Sequence, residues 1–220
     1  AEKQTLADSL QELTRSSRAM GAVLGMLRMP DEEAREIALD ILAAANDPRH
    51  LPEVLKLVDD ESPRVRFAAL KALNLTGANL DAMIKTASTL EDADPDVRAV
   101  AVRKLAQMKH MPEKAFFFLR IKLTDSRPEV VAEAVKAMYL LENEVSYAAC
   151  FEVIERILGE GGEPTVPICR VVAELKLERF APQVLELLRD PHPSVRVAAT
   201  ACLGALQRQE AIALLLDQLP

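Results

Sequence analysis

One short pattern of residues returns along the chain at a nearly fixed interval, and it constrains the fold more than any other feature. Asp, two residues, Pro, one residue and Val open the segments that start at Asp60, Asp92, Asp125 and Asp190. The prolines of these segments lie 32, 33 and 65 residues apart, at Pro63, Pro95, Pro128 and Pro193. Fixed intervals of this length indicate a solenoid built from stacked repeats.

Two weaker copies complete the series. Pro30, in "MPDEEAREIALDIL", lies 33 residues before Pro63. Pro164, in "GGEPTVP", falls where the skipped copy between Pro128 and Pro193 is expected. Six copies therefore cover nearly the whole chain.

Each copy has the sequence of two helices. After each proline the apolar residues have helical spacing, as in Val65, Ala69 and Leu73. Proline suits the first helical turn, and the repeated Asp lies where it can accept the unpaired N–H groups of the helix start. An apolar segment such as "PEVLKLVDD" precedes each Asp. We call the first helix of a copy the A helix and the proline-started one the B helix.

A single pair of helices cannot bury its apolar face alone, so the pairs must stack. The sequence predicts an all-α solenoid of about six helical pairs plus a terminal helix. We predict one such domain over residues 1–220.

The repeated pattern resembles the HEAT repeat. Asp-x-x-Pro-x-Val-Arg is complete in three copies, and Val131 replaces the Arg in a fourth. The short, Ala-rich form is most similar to the HEAT-like repeats of phycobilisome lyases. The resemblance implies a right-handed superhelix with A helices outside and B helices lining a concave side. It also implies a structural ladder of recurring side chains, formed by Asp60, Arg66, Asp92, Arg98, Asp125, Asp190 and Arg196.

Motifs for catalysis or cofactor binding are absent from the sequence. The chain has no phosphate-binding glycine loop, no dinucleotide fingerprint and no zinc-protease or nucleophile-elbow motif. Three histidines fall in different copies, at His50, His110 and His192. Three cysteines are far apart, at Cys150, Cys169 and Cys202, and are interpreted as reduced, buried thiols. We therefore predict no catalytic, cofactor-binding or metal-binding residue, no cofactor and no enzymatic activity.

Charge and hydropathy limit the partners. The net charge of −7 argues against a binder of duplex DNA, which is usually basic. The longest uncharged stretch, residues 197–207, is shorter than the roughly 20 residues that span a bilayer. No signal peptide is recognisable. These features predict a cytoplasmic protein without membrane insertion.

Two candidate partner-binding features stand out. The first is a row of cations eight residues after successive prolines, at Lys71, Arg103 and Lys136, with Lys104 beside it. Stacked B helices would align this row, which favours an acidic or phosphorylated protein segment. The alternative is an ordinary solvated helix face.

The second feature is the run Phe116–Phe118. Three consecutive helical residues sweep about 200° and cannot share one narrow buried stripe. Alignment on the following Asp predicts that Phe118 faces outward, and a register shift of one residue would expose Phe117 instead. The alternative is a rotated helix that buries all three rings.

Two segments depart from the repeat. Gly159, Gly161 and Gly162 indicate either a hinge at residues 159–164 or an irregular loop. The final run "EAIALLLDQLP" resembles a seventh A helix, and its three adjacent leucines favour a fragment of a longer protein over a terminal cap.

The leading functional hypothesis is a non-enzymatic protein–protein interaction scaffold that presents a groove lined by the B helices. One alternative, implied by the resemblance alone, is a phycobilin lyase-like or chaperone-like protein that acts on a protein-bound chromophore. Another is binding to a nucleic-acid backbone. The sequence does not predict the partner's identity or the oligomeric state.

Overall fold

The computed structural model describes residues 17–75, 80–108 and 111–207. These residues form twelve α-helices in six consecutive pairs and no strand. The predicted all-α repeat class is therefore confirmed. The chain divides into two compact units between Met111 and Pro112.

The described residues of unit 1 form three helical pairs. Its helices are α1 (Ser17–Met26), α2 (Glu32–Ala45), α3 (Leu51–Lys56), α4 (Pro63–Ala72), α5 (Leu80–Ser88) and α6 (Pro95–Leu105). The B helices are α2, α4 and α6, and each packs against the next.

The other three pairs lie within residues 112–207, the described part of unit 2. Its helices are α7 (Pro112–Ile121), α8 (Pro128–Tyr139), α9 (Glu144–Glu160), α10 (Thr165–Glu174), α11 (Ala181–Glu186) and α12 (Pro193–Ala205). The B helices α8, α10 and α12 pack in sequence.

Regularly spaced apolar positions of the B helices build the core of each unit. In α4 and its C-terminal end, Val65, Ala69 and Leu73 are at most 1% exposed. Ala134 of α8 and Ala199 of α12 are fully buried as well. Small side chains at these buried positions let neighbouring B helices approach closely.

Four B helices begin at the repeated proline, as the sequence predicts: α4, α6, α8 and α12. The first and fifth copies differ. Asp31, one residue after Pro30, caps α2 through its side chain. Pro164 itself is the residue before α10, which begins at Thr165.

The repeated Asp plays a different part from the predicted cap. In four copies it follows a short 3₁₀ turn that ends the A helix, at Leu57–Asp59, Thr89–Glu91, Lys122–Thr124 and Leu187–Arg189. Its carboxylate accepts the backbone N–H two residues ahead, as in Ser62 N to Asp60 Oδ1 at 2.9 Å. That N–H belongs to the residue before the helix, so the Asp shapes the connecting turn instead of capping the helix.

The glycines of the fifth copy have distinct roles. Gly159 lies inside α9, whereas Gly161 (φ 71°) and Gly162 (φ 77°) form the turn after it. A positive φ at two successive residues is readily adopted only by glycine. The hinge proposed for residues 159–164 stays a prediction.

The predicted terminal helix and His110 lie outside the described residues. No described helix is long and apolar enough to cross a membrane.

Candidate interaction surfaces

An arginine in the first turn of four B helices clamps the turn that precedes its own helix. Its Nη1 donates to the carbonyl oxygens five and six residues earlier. In α4 these are Asp60 O at 2.9 Å and Glu61 O at 3.1 Å from Arg66. The other three clamps are made by Arg35, Arg98 and Arg196.

The same arginines reach the Asp of the following copy in unit 1. Arg66 binds Asp92 through two hydrogen bonds, Nε to Oδ2 at 2.6 Å and Nη2 to Oδ1 at 2.8 Å. Arg35 Nη2 binds Asp60 Oδ1 at 2.8 Å, and both side chains are less than a tenth exposed. These contacts join a B helix to the turn that precedes the next B helix, through largely buried charge pairs.

The environment of Asp92 favours its charged form. Burial opposes ionisation, but the hydrogen bonds from Arg66 and from Asp94 N–H outweigh it. The charges of Arg66 and Arg98 act in the same direction, so the pKa of Asp92 lies below its usual value.

The repeated Asp residues of unit 2 accept from or pair with donors that lie within their own unit. Asp125 lies 3.4 Å from the buried ammonium of Lys122. Asp190 accepts His192 N–H at 2.8 Å and Gly162 N–H at 2.9 Å, which lowers its pKa. The fifth copy has Ile168 at the arginine position of α10, so the turn glycine takes over that role at Asp190.

Alignment of the copies on proline does not identify Arg35 as a counterpart of Arg66. Pro30 lies two residues before Glu32, the first residue of α2, whereas Pro63 is itself the first residue of α4. Alignment on the helix start places Arg35 and Arg66 at the same position, the fourth residue of the helix. A run "DEEAR" with a capping Asp is the signal that could have identified it.

The predicted B-helix cations have partners of their own. Lys71 Nζ lies 3.7 Å from Asp40 of α2, and Lys136 forms a close ion pair with Glu174 of α10. Arg103 is exposed at the end of α6. Lys71 and Lys136 are therefore each paired with a carboxylate of a neighbouring B helix.

Lys104 is used inside unit 1. Its ammonium donates to Lys71 O and Leu73 O, both at 2.7 Å, at the C-terminal end of α4. Burial lowers the pKa of Lys104, and the charges of Arg103 and Lys71 lower it further. Lys104 thus caps the C-terminal end of α4, and its role in binding a partner stays a prediction.

Helix α7 exposes its middle phenylalanine. Phe117 is 67% exposed, whereas Phe116 and Phe118 are half-buried. The outward residue is therefore the one given by the shifted register. Phe118 supports it through an edge-to-face contact, with ring centroids 5.7 Å apart.

Ile121, one turn along α7, is 51% exposed and extends the apolar ridge. Lys114 and Arg120 lie on the two sides of this ridge and are exposed, and Glu113 is exposed beside them. We call Lys114, Phe117, Arg120 and Ile121 the α7 face.

Reactive groups in the described part of the chain are few. The three thiols are buried, and burial raises the pKa of Cys150 and Cys169 to about 12 and of Cys202 to about 11. Among the residues described, no group of three or more metal-binding side chains comes together. A cavity of about 20 Å³ beside Leu42 and Ala72 has room for one water molecule and not for a substrate.

Comparisons with known proteins agree with the repeat architecture. Family models described as HEAT repeats and HEAT repeat match residues 22–89 and 180–209 respectively. No curated protein matches the chain significantly.

Solved structures of similar fold have low sequence identity. A chain in a homology model of the full-length AP-3 complex in an intermediate open conformation has a TM-score of 0.68 at 14% identity. The match covers 96% of this chain and 42% of that one. The crystal structure of an engineered protein has a TM-score of 0.53 at 17% identity, over 86% and 98% of the two chains. At these identities the likeness shows the fold alone.

Proposed function

We propose that the chain is a non-enzymatic protein-interaction module that binds an acidic segment of a partner protein on the α7 face. The observation that carries the proposal is the exposure of Phe117, 67%, in a chain that is only 4% aromatic. Burial of a phenylalanine side chain contributes about 2 kcal/mol, so an exposed one is a strong anchor for a partner.

The surroundings of Phe117 suit a protein partner. Ile121 adds apolar area at helical spacing, and Phe118 holds the Phe117 ring from one side. Apolar anchors inside a charged rim are the usual composition of a protein interface. The α7 face therefore provides both affinity and orientation.

Charge indicates the type of segment. Lys114 and Arg120 flank the ridge, and neither has an ion-pair partner among the described residues. Two unpaired cations beside an apolar anchor favour carboxylates on the partner through complementary charge.

The groove predicted along the B helices is the competing surface. Lys71 and Lys136 are engaged with Asp40 and Glu174, and an acidic partner would have to displace those carboxylates. This competition is why we place the partner on the α7 face. The groove stays a prediction, as do the phycobilin-lyase and nucleic-acid alternatives, which bilin absorbance and salt-dependent binding would test.

A photo-crosslinking amino acid at position 117 tests the proposal. We expect irradiation in lysate of the source cell to attach a partner at position 117, with the contacting peptide rich in Asp and Glu. Val197 provides the matched control, since it is 69% exposed and also lies in unit 2. Equal crosslinking at both positions would contradict the proposal.

Charge reversal separates the two surfaces. We expect Lys114→Glu/Arg120→Glu to abolish capture of the crosslinked partner, and Lys71→Glu/Lys136→Glu to leave it unchanged. The opposite result would move the binding surface to the B helices.

A further inference from the structure

A second cluster of aromatic side chains lies in unit 2, at the turn between α8 and α9. Tyr139 and Tyr147 have ring centroids 4.9 Å apart, and Phe151 stacks on Tyr147 at 6.2 Å with an interplanar angle of 11°. All three rings are half-buried. We call Tyr139, Tyr147 and Phe151 the aromatic platform.

The platform is held in place from both sides. Asn143 caps α9 by accepting Ser146 N–H at 2.9 Å, and α9 sets Tyr147 and Phe151 one turn apart. The Arg179 guanidinium lies over the Phe151 ring, 4.4 Å from its centroid, and pairs with Glu155 at 3.2 Å. A fixed platform loses little conformational freedom when a ligand binds.

The two tyrosines carry unused hydrogen-bonding capacity. Neither hydroxyl makes a hydrogen bond with any residue that the structure describes. Neither hydroxyl is among the buried unsatisfied atoms, so both are accessible from solvent. The Tyr139 and Tyr147 hydroxyls are therefore two donors available to whatever lies on the platform.

Apolar and acidic groups surround the platform. Leu140 is 38% exposed and Val145 is 64% exposed on the adjoining turn and helix start. Glu142 and Glu144 are exposed in the same segment. Desolvation, the nearby Tyr139 and the charge of Glu142 all raise the pKa of Tyr147 above its usual value.

These features match one kind of ligand. A polyproline II segment has no internal hydrogen bonds, so its carbonyl oxygens are free to accept from tyrosine hydroxyls. Its proline rings pack well on aromatic side chains, and aromatic-lined surfaces are the usual binding sites for such segments. Acidic groups at the rim select basic residues in the ligand.

We propose that the aromatic platform binds a proline-rich segment that carries Arg or Lys, with the Tyr139 and Tyr147 hydroxyls donating to its carbonyl oxygens. This site shares no residue with the α7 face, and it selects the opposite charge. The two proposals therefore stand or fall independently.

The chain supplies its own reporter for the test. It contains no Trp, and its only two tyrosines are Tyr139 and Tyr147. Intrinsic tyrosine emission of the full chain therefore reports on the platform alone. The probe is a synthetic peptide of three Pro-Pro-Arg repeats, which contains no aromatic residue.

We expect a saturable change in tyrosine emission with this peptide and no change with three Pro-Pro-Glu or three Ala-Ala-Arg repeats. Calorimetry then measures affinity in Tyr139→Phe and Tyr147→Phe, which keep the rings. Each should weaken binding about fivefold, the effect of one lost hydrogen bond. Phe117→Ala is the matched control on the α7 face and should bind with unchanged affinity.

Three results would overturn the proposal. They are no saturable emission change with the arginine peptide, equal binding of the glutamate peptide, and unchanged affinity in both Tyr→Phe variants. A failure of crosslinking at position 117 would contradict the α7-face proposal only, and the peptide-binding test of the aromatic platform would keep its outcome.

Discussion

The guanidinium of Arg66 performs two tasks with separate nitrogens. Nη1 holds the turn before α4, while Nε and Nη2 bind Asp92 of the next copy. Asp92 is almost fully buried, with its side chain 7% exposed. Removal of the arginine would leave the Asp92 carboxylate without its ion-pair partner.

We expect Arg66→Ala to lower the free energy of unfolding by about 3 kcal/mol, because breaking a buried pair leaves the partner charge unpaired. Urea denaturation followed by far-UV circular dichroism measures the change. Arg64 is the matched control in the same helix, since it is 62% exposed and pairs with Glu36 at 2.7 Å. Arg64→Ala should change stability by less than about 0.5 kcal/mol, and equal losses in both variants would contradict the prediction.

The same pair predicts a pH dependence. The pKa of Asp92 is lower in the folded chain than its usual value near 3.9, so ionised Asp92 stabilises the fold. This contribution is complete above about pH 4 and is lost as the pH falls through the folded pKa. We expect Asp92→Asn to be less stable than wild type at pH 7, with the difference shrinking below about pH 4. A constant difference across an acid titration in urea would argue against it.

Residue-level prediction from the sequence is limited by alignment. Asp60, Arg66, Asp92 and Arg98 stand at fixed offsets from proline and could be identified without coordinates. The hydrogen bond from Gly162 N–H to Asp190 could not be identified in this way, because its donor is a backbone group and no recurring side chain marks it.

At the scale of single elements, the end of α9 depends on two different kinds of glycine. Gly159 is helical with open space around it, whereas Gly161 has φ 71° and ψ −169°, a conformation almost restricted to glycine. A Cβ at Gly161 would also lie 3.2 Å from Asp190 Oδ2. The two positions should therefore respond to alanine in opposite directions.

We expect Gly159→Ala to raise the free energy of unfolding by about 0.5 kcal/mol, since alanine favours the helix more than glycine and Gly159 lies in the last turn of α9. Gly161→Ala should lower it by about 1–3 kcal/mol through backbone strain. Chemical denaturation of the two variants measures both values. A stabilising effect of Gly161→Ala would show that Gly161 does not keep its positive φ in solution.

Helix starts are easier to predict than helix faces. Proline fixes the first turn of α4, α6, α8 and α12, so these starts follow directly from the sequence. The face of α7 depends on how the helix rotates against α8, and a shift of one residue decides between Phe117 and Phe118. That rotation is set by packing, which the repeat pattern does not encode.

At the scale of the whole molecule, each copy is expected to be stabilised mainly by contacts with the adjacent copies. In a repeat array each copy contacts mainly the adjacent copies, so a local defect stays local. We expect Arg66→Ala to increase amide hydrogen exchange most in α4 and α6 and to leave α12 unchanged. Exchange measured by mass spectrometry tests this, and a uniform increase along the chain would indicate one cooperative unit instead.

The repeat period predicts the architecture but does not predict the aromatic platform. The interval between prolines is encoded in single residues and is visible by eye. The aromatic platform combines Tyr139 from the end of one copy with Tyr147 and Phe151 from the next, eight and twelve residues later, across a turn. A search for recurring offsets within copies cannot find a cluster that no other copy repeats.

The arginine clamp has a consequence for how such a chain changes length. Each clamp joins an arginine to carbonyls five and six residues earlier, so donor and acceptors are inherited together in one short stretch of coding sequence. A tandem duplication that inserts one more copy carries an intact clamp with it. The new junction then requires only an acidic residue from the following copy. The chain can therefore gain or lose a whole copy without a second mutation to restore the clamp.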